Sequence, residues 1–136
     1  MSLVGFPLLL IPFAIYNIFA FLIPGVEWTS VVTRVPMASG ADWTMSPGDL
    51  LIGFSILLLF GEMLKSTRIG MRTVVDHALS MLLFIGMIVE FILVRQAATA
   101  TFFLLLIISS IDVLAGFAVT LRSAQRGVTI GTDTSA

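Results

Sequence analysis

The chain has 136 residues, of which 58% are hydrophobic and 11% charged, against roughly a quarter charged in an ordinary soluble domain, and its mean hydropathy is +1.11. A water-soluble fold of this size would expose apolar patches far larger than monomers tolerate, so the composition reads as an integral membrane protein with the lipid bilayer as its solvent. Seven Lys+Arg against eight Asp+Glu, a net charge of −1, exclude a polybasic nucleic-acid binder, and zero cysteines exclude disulfides, thiolate metal sites and Cys nucleophiles.

Four stretches approach the roughly 20 residues that a helix needs to cross a bilayer. The first is predicted over residues 3–24; it carries no charge, Pro7 and Pro12 should kink or loosen its start, and Pro24-Gly25 ends it. No basic residue precedes it and no small-x-small cleavage site follows, so it reads as a retained helix rather than a removed leader. Residues 25–45 are too long for a structureless connection. The β-branched run Thr29, Val31, Val32, Thr33, Val35, the stop at Pro36 and the turn-forming Ala38-Ser39-Gly40-Ala41 suggest a small extracytoplasmic hairpin lying on the membrane, with a short interfacial helix as the alternative. Trp28 and Trp43 of this loop read as interfacial anchors.

The second span is predicted over 47–66. Ser46 serves as its cap, Pro47 as its first residue, and Asp49 sits at the positive end of its dipole. The third is predicted over 74–95 and the fourth over 97–121, and the Gly/Ser/Thr-rich residues 123–136 lack an apolar pattern and are expected to form a mobile cytoplasmic tail. The expected fold is an all-α membrane protein, one four-transmembrane-helix up-down bundle over residues 1–122. Lys65, Arg68, Arg72, Arg122 and Arg126 would lie on one side and Arg34 and Arg95 on the other, which predicts both termini in the cytoplasm.

Charges at membrane depth cost about 2.5–3.5 kcal/mol each on insertion scales, so the acids that interrupt the spans are the informative residues. Antiparallel matching places Glu62 level with Ala78 and close to His77, and Asp112 level with Met81, about one turn deeper. Ser109, Asp112, Gly116 and Thr120 recur on one helix face, Ser55 and Glu62 share another, and Asp76, Ser80, Leu83, Met87 and Glu90 follow a third line. His77 lies beside that line, so either it or Asp76 should point fully inward while the other reaches the headgroups or Arg72. The candidate inner site is therefore Glu62, Asp76, His77, Ser80, Ser109 and Asp112, and Asn17 with Glu90 forms a second, outer one at the depth of Tyr16. Such residues can simply hydrogen-bond helices together, at about 1 kcal/mol each, or bind a proton or ligand.

One histidine and scattered acids give no metal-ligand spacing, Ser109-Ser110 matches no nucleophile motif, and phosphate-binding glycine loops are absent, so neither cofactor nor metal is expected and no enzyme is indicated. The stretches Ser46-Pro47-Gly48-Asp49-Leu50-Leu51, Gly61-Glu62-Met63-Leu64-Lys65-Ser66-Thr67-Arg68, Val75-Asp76-His77-Ala78-Leu79-Ser80 and Ile111-Asp112-Val113-Leu114-Ala115-Gly116-Phe117 resemble a group of small four-span inner-membrane proteins of proteobacteria that have no assigned activity. The resemblance covers spans two to four and implies a bacterial inner (plasma) membrane location. Small multidrug exporters have a similar size, but they rely on a glutamate in the first helix, which is free of acids here. The expected role is a non-enzymatic accessory or oligomeric membrane component, a homo-oligomer or a partner of other membrane subunits. The alternative is a small proton-coupled transporter or channel, or a quinone- or lipid-binding protein, that uses the acids near the cytoplasmic side.

Overall fold

A computed structural model of the chain describes residues 6–23, 25–66 and 71–134, the side chains of 66, 71–73, 119, 120 and 122–134 excepted. Four helices dominate it: α1 (Leu10–Asn17), which continues as a π-helical turn over Ile18–Leu22, α2 (Pro47–Ser66), α3 (Met71–Leu93) and α4 (Ala100–Thr134). Within them Pro47–Lys65, Val74–Leu93 and Ala100–Ala118 are long and apolar enough to cross a membrane. This is a membrane-helical protein.

Of the predicted span 3–24, residues 3–5 and 24 lie outside the described residues, and over 6–23 the helical part is the shorter apolar stretch Leu10–Leu22, about 20 Å at 1.5 Å per residue. Proline is the cause: a residue before proline is driven out of the helical region, so the chain around Pro7 makes a turn, with Leu10 N–H donating to the Pro7 carbonyl at 3.0 Å and Ile11 N–H to the Leu8 carbonyl at 3.1 Å. Pro12 is tolerated in the first turn of α1, where its missing N–H has no intrahelical acceptor.

The start of α2 follows its sequence. Asp49 N–H donates to Ser46 Oγ and Ser46 N–H donates to Asp49 Oδ2, both at 3.1 Å, a reciprocal capping box. The loop ahead of it is a hairpin rather than a helix, with β1 (Thr33–Pro36) antiparallel to β2 (Asp42–Met45) and Val35 opposite Trp43. Its three-residue turn, Ala38-Ser39-Gly40, needs a left-handed residue, which Gly40 supplies at φ +92°. A 3₁₀ turn, Arg95–Ala97, joins α3 to α4, which runs without a break past the predicted end at 121 to Thr134.

α4 is the central helix, packing along α2 and α3, while α1 leans on α2 and α4. At one end Tyr16 stacks on Trp28 with centroids 4.7 Å apart and meets Phe102 edge-on at 5.0 Å, and Phe91 stacks on Phe102 at 6.0 Å. Leu51, Leu59, Leu83, Met87, Leu105 and Ile108 continue the core toward the other end. Offset and edge-on ring pairs of this kind add about 0.5–1.5 kcal/mol each beyond the area they bury.

Candidate functional site

The last turn of α2, the first turns of α3 and the facing part of α4 bring the residues of the first candidate site together. Glu62 is 2% exposed, and Asp76, Ser80, Ser109 and Asp112 are also buried. Glu62 and Lys65 lie one turn apart on α2, and the Lys65 amine stands 3.2 Å from Glu62 Oε1 and 3.2 Å from Asp76 Oδ1 of α3. The same amine donates to the Phe6 carbonyl, and Leu8 N–H donates to Glu62 Oε1. Two backbone groups freed by the Pro7 turn thus find charged partners in α2, a charge-assisted arrangement where water is scarce. Asp112 of α4 accepts from the Ser80 hydroxyl of α3 and faces Glu62 and Asp76 electrostatically.

The predicted levels hold to within a residue for Asp112, which meets Ser80 rather than Met81. Glu62 does not pair with His77: Lys65 takes that place. Of the adjacent pair on α3, Asp76 points inward to Lys65, and His77 is half-buried with its ring over Gly116, where a methyl group would come 2.5 Å from Nδ1. Ser55 is fully buried and returns its hydroxyl to the Leu51 carbonyl at 2.6 Å, the local bond that serines in apolar helices commonly make. Arg68 falls outside the described residues, as do the side chains of Arg72, Arg122, Arg126 and Thr120.

Tyr16 organises the opposite end of the helices. Tyr16, fully buried, donates its hydroxyl to the Gln96 carbonyl at 2.7 Å and lies 2.7 Å from Thr99 Oγ1. Thr99 Oγ1 also accepts from Phe102 N–H at 3.1 Å, capping α4. Glu90 approaches Tyr16 and Asn17; Asn17 Nδ2 donates to the Phe13 carbonyl at 3.0 Å, while Asn17 Oδ1 and Glu90 Oε2 are buried with no hydrogen-bond partner among the described residues. The two tryptophans separate: Trp28 packs into the aromatic cluster, and Trp43 is 49% exposed on the hairpin.

Lys65 was missed because a lysine in the last turn of a span reads first as an interfacial charge; the i,i+3 spacing from Glu62 was the available signal. The Phe6 carbonyl and Leu8 N–H carried no signal, since any backbone offers them. Near the hairpin, an apolar groove of about 460 Å³ is lined by Phe19, Trp28, Leu50 and Phe54. None of the charged cluster lines it. Among the described residues, no group of three or more His, Cys, Asp or Glu is placed to hold a metal ion. Comparison with known protein families, with curated proteins and with solved structures finds no match.

Proposed function

We propose that the chain is a non-enzymatic multi-pass protein of a bacterial inner membrane, an accessory or oligomeric component whose buried charges hold its helices in register. The observation that carries this reading is the saturation of Lys65: its amine reaches Glu62, Asp76 and the Phe6 carbonyl, so one cation ties the lead-in of α1, the end of α2 and the start of α3. A group whose partners are all internal is suited to fixing a fold rather than to turning over a substrate. In this reading α1 serves as a fourth, short span, consistent with Leu8 beside Glu62 and Tyr16 beside Thr99. Both termini are cytoplasmic, with Arg34 and Arg95 outside. Isolation in mild detergents should yield a defined homo-oligomer or co-purifying subunits, and a clean monomer in several detergents would count against it.

A second reading rests on one specific imbalance. Three buried carboxylates, Glu62, Asp76 and Asp112, share the single cation Lys65 within the described cluster, and a surplus of acids at membrane depth favours a site that takes up protons. In liposomes such a protein would pass protons, alone or with a solute, and Asp112→Asn would abolish the flux. Flux that is absent, or unchanged by the substitution, removes this reading.

A further inference from the structure

The hairpin presents a surface that nothing among the described residues covers. Cross-strand partners lie on the same face of a two-stranded sheet and successive residues alternate. The pairing Thr33 with Met45 and Val35 with Trp43 therefore builds one face, which Met37 extends, while Arg34 with Thr44 and Pro36 with Asp42 build the other. The first is apolar and the second polar. Yet Val35 is 37% exposed, Met37 48% and Trp43 49%, because β1 and β2 pack chiefly on each other. A lone two-stranded hairpin is marginal in water, so an apolar face of this kind calls for a cover.

Position in the chain selects the cover. Pro47–Lys65 has 19 residues, about 28 Å of helix, which matches a hydrocarbon core of about 30 Å; Pro47 then sits at the edge of that core. β2 ends at Met45, and a chain advances at most about 3.6 Å per residue, which leaves Met45 in the headgroup layer and Trp43 within about 14 Å of the core. The other end of the loop is tied down as well: Gly48 N–H donates to the Trp28 carbonyl at 3.0 Å, and Trp28 stacks on Tyr16. Depth is bounded by the backbone, since both strands are edge strands whose outward N–H and C=O groups need water or headgroups and would be too costly in hydrocarbon. Tryptophan, apolar in body and polar at its N–H, favours this layer.

We infer that the hairpin is a lipid-surface anchor: its Val35–Trp43 face lies down on the bilayer at the Pro47 end of α2, and Arg34, Asp42 and Thr44 face the water. The inference rests on the membrane reading of the three long helices, so alkaline extraction and flotation of the proteoliposomes first establish that the chain is inserted. Failure there rejects the membrane reading itself. Because the chain has no cysteine, Val35→Cys and Arg34→Cys each introduce a unique thiol. In phosphatidylcholine vesicles a membrane-impermeant thiol reagent should label Val35→Cys about tenfold more slowly than Arg34→Cys, the factor that about 1.4 kcal/mol of burial gives. In vesicles containing lipids brominated near the headgroup, the wild-type protein should lose a fluorescence component that Trp43→Phe lacks. Equal labelling of the two thiols, or faster labelling at position 35, overturns the inference. So does a Trp43 component that bromolipid leaves unquenched, which would place a second copy or water against that face; this measurement on the wild-type chain stands even if a cysteine variant fails to fold.

Discussion

Replacing Lys65 with methionine keeps the helix propensity and most of the length of the side chain and removes the charge together with its hydrogen-bond donors. Its side chain is 11% exposed, and it holds Glu62 Oε1 and Asp76 Oδ1 at 3.2 Å each together with the Phe6 carbonyl. Counted as three lost intramembrane contacts at about 1 kcal/mol each, the change costs about 3 kcal/mol; counted as a buried ion pair broken from one side, it costs about 3–5 kcal/mol. The two are alternative measures of one loss, so Lys65→Met should destabilise the protein by about 3–4 kcal/mol. Reversible unfolding in mixed micelles with increasing SDS, followed by far-UV circular dichroism, measures it. Much of the penalty comes from the two carboxylates left unpaired, so adding Glu62→Gln and Asp76→Asn to Lys65→Met should recover half or more of the loss, against additivity. A loss below about 1 kcal/mol for the single variant would mean that the cation is solvated and the register argument fails. A triple variant less stable than the single one would refute the role given to uncompensated charge.

The same assay separates the glycines by the space around them. A Cβ at Gly48 would lie 2.5 Å from Thr101 Oγ1 and 2.9 Å from the Trp28 carbonyl, so Gly48→Ala should cost about 1–3 kcal/mol. Gly53, in the same helix, has nothing within 4 Å of that position, and Gly53→Ala should be neutral or stabilising by up to about 1 kcal/mol; equal effects at the two positions would contradict the packing. Gly116→Ala drives a methyl group to 2.5 Å from His77 Nδ1 and should cost about 1–3 kcal/mol, most of it relieved by His77→Ala in the double variant. Tyr16→Phe deletes a hydroxyl bonded to the Gln96 carbonyl and Thr99 Oγ1, and the buried acceptors left behind should cost about 1–3 kcal/mol. Unchanged stability there would show that Tyr16 acts through its ring alone.

Features that depend on solvent and on local geometry were legible in the amino-acid order alone. Three helices long enough to cross a bilayer follow from long, mainly apolar stretches, because backbone groups in hydrocarbon must be satisfied within the helix. The capping box at Ser46 and Asp49 and the turn at Gly40 follow from residues at most three apart. The inward turn of Glu62, Ser80 and Asp112 was legible as recurrence on helix faces, whereas the choice between Asp76 and His77 was not. The first helix was misjudged in length because an uncharged stretch says nothing of how far Pro7 unwinds it. Helix packing set which groups meet: that Lys65 turns inward to Asp76 and the Phe6 carbonyl, that Trp28 stacks on Tyr16 while Trp43 stays exposed, and that His77 lies over Gly116. Lysine and tryptophan each suit both a membrane interface and a satisfied interior. Their choice between the two is set by partners 11 or more residues away in the chain, which come within reach only once the helices have packed.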